Sequence, residues 1–120
     1  MPYLLLIIEP VGQRRQRSEE EGRRAYARMQ RYAEELKSRG LLIAAESLRA
    51  DAEGVRVQVR GGKPTLVDGP FSEAKEIVGG FFLLDCASRE QAVAIAGECP
   101  AAEWATVEVR GVGACYEDHG

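Results

Sequence analysis

Two helix-start signals, each placed after an apolar run, constrain the fold of this chain most. Ser18-Glu19-Glu20-Glu21 and Ser88-Arg89-Glu90-Gln91 both have the spacing of a capping box, in which a serine caps the helix and the third residue on reaches back. Gly40 and Pro100 provide stop signals further along. The chain therefore predicts one helix over about residues 19–39 and a shorter one after Ser88.

Apolar, strand-forming runs flank both helices. Four of them are predicted as strands: Tyr3–Glu9, Leu41–Leu48, Gly79–Cys86 and Trp104–Arg110. Between the second and third, Val55–Arg60 alternates, Gly61-Gly62 turns the chain and Lys63–Val67 returns, which predicts a hairpin with one face on a core. The order predicts an α+β fold, a ferredoxin-like split β-α-β sheet with an inserted β-hairpin.

The number of helices predicts the oligomeric state. Two helices cover one face of such a sheet. The apolar runs also place hydrophobic side chains on the other face, which no predicted element covers. A second copy of the sheet is the economical cover, so we expect a homodimer with a barrel-like interface, a dimeric α+β barrel. At 120 residues the chain is long enough for one domain, assigned to residues 1–112, and the polar residues 113–120 are expected to form a flexible tail.

Composition excludes several classes of function. The net charge of −3 gives no overall attraction to nucleic acid or membranes, and no apolar run reaches the length of a bilayer span. Three cysteines without a CxxC pair favour a reducing, cytoplasmic location over a disulfide framework or zinc ribbon. We predict neither a metal nor a cofactor. A basic cluster is interpreted as a solvated helix face: Arg14, Arg15, Arg17, Arg23, Arg24, Arg28 and Arg31.

The stretch Val67–Phe81 carries the candidate site. Asp68 sits at a predicted strand end, where it could act as a general base or bind a ligand; the alternative is a hydrogen bond within its own Gly-Pro turn. Four further residues are predicted to bind ligand: Glu46, Glu73, Lys75 and Glu76. Glu46 interrupts an apolar strand, and it either joins Asp68 at one pocket or emerges where the strand ends. The other three could equally form a solvated charged loop.

These residues resemble the YCII-related protein family, whose DGPF motif stands here as Asp68-Gly69-Pro70-Phe71. Other shared features are Tyr3-Leu-Leu-Leu-Ile, Gly40-Leu-Leu, Glu73-Ala-Lys-Glu, Gly79-Gly-Phe, Cys99-Pro and Val107-Glu-Val-Arg. The resemblance implies a dimeric ferredoxin-like α+β barrel, related in shape to small lactone isomerases and to heme- or quinone-handling monooxygenases. It also implies an association of the DGPF branch with extracytoplasmic-function sigma factors.

The chain departs from the family at one point. Family members resemble enzymes through a histidine on the first helix paired with an aspartate, whereas this helix has Arg28 and Met29 near that place and the chain's one histidine is His119. Two functions stay open. One is a small polar ligand bound at Asp68, with lyase- or isomerase-like acid–base chemistry; the other is a non-catalytic accessory or regulatory role through protein contacts. Heme or flavin chemistry is disfavoured, since the domain lacks an axial histidine.

Overall fold

The computed structural model describes residues 1–71 and 73–117. The strands are β1 (Pro2–Pro10), β2 (Leu42–Ser47), β3 (Val55–Arg60), β4 (Lys63–Asp68), β5 (Glu76–Asp85) and β6 (Thr106–Gly111). The helices are α1 (Glu19–Ser38) and α2 (Arg89–Gly97), with short 3-10 turns at Arg14–Gln16, Asp51–Glu53, Pro100–Glu103 and Cys115–Glu117.

The main sheet has four antiparallel strands in the order β2-β5-β1-β6. With the hairpin set aside, this is the strand order of a split β-α-β sheet, so the predicted ferredoxin-like α+β fold is confirmed. Strand β1 lies in the middle, where Leu5 pairs with Phe82 on one side and Val109 on the other. A bulge between Ile7 and Ile8 shifts the register near the end of β1.

Both helices begin as their sequences predict. At α1 the Ser18 hydroxyl accepts from the Glu21 N–H at 3.1 Å, and Glu21 accepts from the Ser18 N–H at 2.9 Å, which completes the capping box. At α2 the Ser88 hydroxyl accepts from the Gln91 N–H, but the Gln91 side chain reaches one residue further back, to the Ala87 N–H at 2.7 Å.

One hydrophobic core lies between the helices and one face of the sheet. Its members are Leu5, Ile7, Tyr32, Leu36, Phe82, Leu84, Cys86, Ala92, Ile95, Ala96, Cys99 and Ala101. Tyr32 of α1 packs edge-on against Phe82 and donates its hydroxyl to the Ile95 carbonyl at 2.6 Å, so one aromatic side chain joins both helices to the sheet. Cys86 and Cys99 are buried free thiols.

The opposite face of the sheet has no covering element among the described residues. The register places apolar side chains of β1 and β5 together on this open face: Leu4 beside Leu83, Leu6 beside Phe81 and Ile8 beside Val78. Most of them are half-buried, and Val78 is 41% exposed.

The hairpin corrects one prediction. Strands β3 and β4 pair as expected through a turn at Gly61-Gly62, where both glycines have positive φ. They form a separate two-stranded sheet that does not join the main sheet, and every residue of both strands is exposed. The expectation that one hairpin face lies on this chain's core is therefore wrong. An apolar stripe is left exposed on one face: Val55, Val57, Val59, Pro64 and Leu66.

The predicted flexible tail, residues 113–120, falls partly outside the described residues, as does His119. The described part of it includes the short 3-10 turn Cys115–Glu117.

Candidate functional site

A cleft of about 680 Å³ separates the N-terminal half of α1 from the sheet. Its walls include Ile7, Glu9, Arg14, Arg17, Gly22, Ala25, Tyr26, Met29, Gln30, Ala33, Glu34, Ala45, Glu46, Gly79, Phe82 and Trp104. Apolar walls with a few polar groups are typical of small-molecule sites.

Small residues on α1 explain why the space is open. Gly22, Ala25 and Ala33 face the sheet across the cleft, whereas Tyr32 and Leu36 fill the core further along the helix. Glycine within a helix is unfavourable by about 1 kcal/mol relative to alanine. A Cβ atom at Gly22 would meet nothing within 4 Å. Packing does not require glycine there, so this position keeps the cleft wide at a cost to helix stability.

A buried ion pair forms one end of the cleft. The side chain of Glu9 is nearly buried at the end of β1, and both of its oxygens accept from Arg14, at 2.6 and 3.1 Å. Arg14 also donates to the carbonyls of Leu48 and Gly79, at 2.6 and 3.1 Å. One guanidinium group thus satisfies the carboxylate and joins the ends of three strands. The prediction that Arg14 belongs to a solvated helix face is therefore wrong.

The glycine pair of β5 makes room for this arrangement. A Cβ atom at Gly79 would overlap Glu9 Oε1 and lie 2.9 Å from Arg14 Nη2. A Cβ atom at Gly80 would lie 2.9 Å from the Glu46 carbonyl oxygen. Both glycines therefore lie where the backbone of β5 passes close to neighbouring groups, the position that glycine suits in a strand.

Arginines and the chain's single tryptophan surround the mouth of the cleft. The guanidinium carbons of Arg17 and Arg28 each lie 5.4 Å from the centroid of the Trp104 ring, within cation–π distance. Arg28 binds Glu103 through two hydrogen bonds, and this pairing lowers the pKa of Glu103 and raises that of Arg28. A second, shallower cavity adjoins the mouth and shares Arg17, Ala25 and Trp104 with the cleft.

The structure does not bring the predicted site residues together. Glu46 borders the cleft on β2, but it pairs with Phe81, so its side chain lies on the open face of the sheet, away from α1. Asp68, Glu73, Lys75 and Glu76 are exposed and are not among the residues that line the cleft. Asp68 ends β4, opposite Val55, on the hairpin. The catalytic role of Asp68 and the ligand-binding roles of the other three stay predictions, separate from the cleft.

Sequence reasoning missed Glu9, Arg14, Arg17 and Trp104. A signal existed for the first of these, because Leu5, Ile7 and Glu9 share the inward phase of β1 and an inward carboxylate needs a buried partner. Arg17 and Trp104 gave no local signal, since they are far apart in the chain and meet only through the fold.

A ferredoxin-like α+β domain with a cleft between its first helix and its sheet is the class of protein defined by this geometry. The chain belongs to the YCII-related domain family, whose model matches residues 1–114. The similarity to that family noted in the sequence is thereby confirmed.

Two known proteins resemble the chain in different ways. An uncharacterized protein of Rhizobium meliloti (strain 1021) is 50% identical over 32 residues, which are 27% of this chain and 26% of that protein. The chain thus matches about a quarter of that relative's length. The structure of 5-chloro-2-hydroxyhydroquinone dehydrochlorinase (TftG) from Burkholderia phenoliruptrix AC1100, in complex with 2,5-dihydroxybenzoquinone, has a TM-score of 0.56. It covers 98% of both chains at 16% identity, which shows a shared fold.

Neither helix of the described residues is long and apolar enough to cross a membrane.

Proposed function

We propose that this protein is a small homodimer that binds a small polar ligand in the cleft between α1 and the sheet. The observation that carries the proposal is the cleft itself, about 680 Å³ in volume, with a nearly buried carboxylate at one end and a glycine held in its helical wall. A helix that gives up stability to keep a space open is typical of a binding site.

Acid–base chemistry of the lyase or isomerase type is the proposed activity, and we assign the proton transfer to Glu9. Glu9 is the nearly buried carboxylate at one end of the cleft, whereas the Glu46 side chain lies on the opposite face of the sheet. Arg14 donates to both oxygens of Glu9 and fixes the orientation of the carboxylate. Asp68 is the competing assignment, carried by the DGPF motif.

The cleft is tested by filling it without damaging the fold. The substitution Gly22→Leu replaces a poor helix former, so the free energy of unfolding should rise by about 0.5–1 kcal/mol. The added side chain should weaken binding of 2,5-dihydroxybenzoquinone, the molecule bound to TftG, by about tenfold or more. The indole N–H resonance of Trp104, the single tryptophan, reports binding.

Two isosteric variants separate the cleft from the DGPF turn. Replacement of the quinone's ring hydrogen by deuterium in D₂O requires a group that donates a proton to carbon and another that removes one. The protein should accelerate this exchange, and Glu9→Gln should abolish the acceleration while Asp68→Asn leaves it intact. The reverse result would place the chemistry at the turn and overturn the assignment to Glu9.

The hairpin favours a second candidate function, contact with other proteins. Its stripe includes Val57 and Leu66, which are 59% and 65% exposed. Exposed apolar surface of this kind marks interaction sites. If the stripe stays accessible in the homodimer, the accessory or regulatory role, with its association with a sigma factor, gains support over ligand binding.

A further inference from the structure

We propose that the mouth of the cleft, at Arg17, Arg24 and Trp104, binds the carboxylate of a small planar organic acid whose ring enters the cleft. The inference rests on the proposed function and names the chemical class of its ligand. It depends on the charges at the mouth, on the position of Trp104 and on the length of the cleft.

Basic side chains outnumber acidic ones at the mouth of the cleft. Arg17, Glu21, Arg24 and Arg28 line the shallower cavity around Trp104. Glu103 engages Arg28, but Arg17 and Arg24 have no carboxylate within 4 Å among the described residues. Among the described residues the Arg17 guanidinium makes a single hydrogen bond, and it is long, 3.4 Å to Gln13 Oε1. Two cations therefore keep donors available for an anion.

Two acidic residues in the first turn of α1, Glu19 and Glu21, line the cavities near the mouth. Glu21 lines the shallower cavity with these arginines; it is engaged in the capping box with Ser18, and this hydrogen bonding, aided by Arg24 and Arg17, lowers its pKa. Glu19 pairs with Arg23 at 2.5 Å. Three arginines, Arg17, Arg24 and Arg28, thus face the two carboxylates Glu21 and Glu103, and the mouth keeps a net positive charge.

Arg17 and Trp104 line both the cleft and the shallower cavity, so they lie where the two cavities join. The Arg17 guanidinium lies over the indole ring, which restricts it before any ligand arrives. An arginine held in this way can bind a carboxylate through two parallel hydrogen bonds.

The far end of the cleft is distant from the mouth. Glu34 also lines the cleft, but it lies roughly 25 Å along α1 from Arg17 at 1.5 Å per residue. Glu9 is already neutralised by Arg14. The positive mouth and the more apolar interior therefore fit a molecule with one charged end and a flat, neutral body.

The experiment uses a pair of probes of similar shape, the anion 2,5-dihydroxybenzoate and its neutral amide 2,5-dihydroxybenzamide. Each is titrated into the full chain while the Trp104 indole N–H resonance is followed. We expect the acid to bind about tenfold more tightly than the amide, and we expect added salt to weaken only the acid.

Variants locate the effect. Arg17→Ala should remove the preference for the acid, Arg17→Lys should keep part of it, and Arg31→Ala is the matched control, an exposed α1 arginine outside both cavities. Equal binding of acid and amide by the unaltered protein would overturn the inference and leave the cleft proposal standing. If neither probe shifts the indole resonance and 2,5-dihydroxybenzoquinone also fails, the proposed function falls with it.

Discussion

Gly79 is the residue on which the geometry of the cleft most depends. It lies where Glu9 and Arg14 come together, and a side chain at this position would occupy the space of the carboxylate. Arg14 holds that carboxylate through two hydrogen bonds, so the carboxylate cannot rotate away without losing its partner. The lack of space for a side chain at position 79 and the ion pair of Glu9 with Arg14 therefore depend on each other.

The substitution Gly79→Ala should therefore lower the free energy of unfolding by about 2 kcal/mol, because the methyl group displaces a buried, paired carboxylate. Denaturant unfolding measures the change. Gly97→Ala is the matched control, since a Cβ atom at that position meets nothing within 4 Å. An unchanged midpoint for Gly79→Ala would show that the ion pair is not held in place.

Single residues also show how far a sequence leads toward a site. The phase of β1 marks Glu9 as inward-facing, and the glycine pair marks a close approach, so part of the cleft could be read from local pattern. The identity of its partner, Arg14, could not be predicted from the sequence, because six other arginines follow within two dozen residues. Only the tertiary structure selects among equivalent charges.

Among the larger elements, the helices and the main sheet follow from local signals, while the hairpin's position does not. Capping residues, Gly40 and the turn at Gly61-Gly62 specify α1 and the hairpin closely. The alternation of β3 predicts that one face of the hairpin is apolar, but it does not predict which surface covers that face. In this chain the core between helices and sheet is complete without the hairpin.

The core between α1 and α2 should make the protein sensitive to alkali. Burial raises the pKa of the Cys86 and Cys99 thiols and of the Tyr32 hydroxyl above their ordinary values. The unfolded chain therefore loses these protons first as pH rises. Stability from these groups should be complete below the ordinary thiol pKa of about 8.5 and should decline above it.

Thermal unfolding between about pH 8 and pH 10 measures this decline. Cys99→Ala should lower the melting temperature at the starting pH and make its later fall shallower, because one buried titrating group is gone. A melting temperature that stays constant across this range would contradict the assignment of these three groups.

The dimensions of the whole molecule support a partner. The radius of gyration is 16.3 Å, whereas a compact chain of this length has about 14 Å. The accessible surface is 8481 Å², about 2,000 Å² more than expected for a monomer of this mass. An excess of about 2,000 Å² per chain falls within the range of accessible surface that obligate dimers bury. The open face of the sheet and the hairpin stripe supply the apolar part of it.

Light scattering should accordingly give twice the 13.2 kDa chain mass at micromolar concentration. Leu6→Glu, on the open face of the sheet, should convert the protein to monomer, since a charge there meets the partner's apolar surface. Val93→Glu is the control, an exposed apolar residue on α2. A stable monomer of the unaltered chain would refute the dimer.

The central place of β1 has a consequence for how the protein is made. Its neighbours in the sheet are β5 and β6, so Tyr3 pairs with Leu84 and with Gly111. During synthesis this apolar strand emerges long before either neighbour exists, and it stays unpaired until β5 and β6 have left the ribosome. Contacts so distant in sequence slow folding and expose the strand to aggregation. The main sheet therefore forms late, and Leu4–Ile8 is the segment most exposed to aggregation until it does.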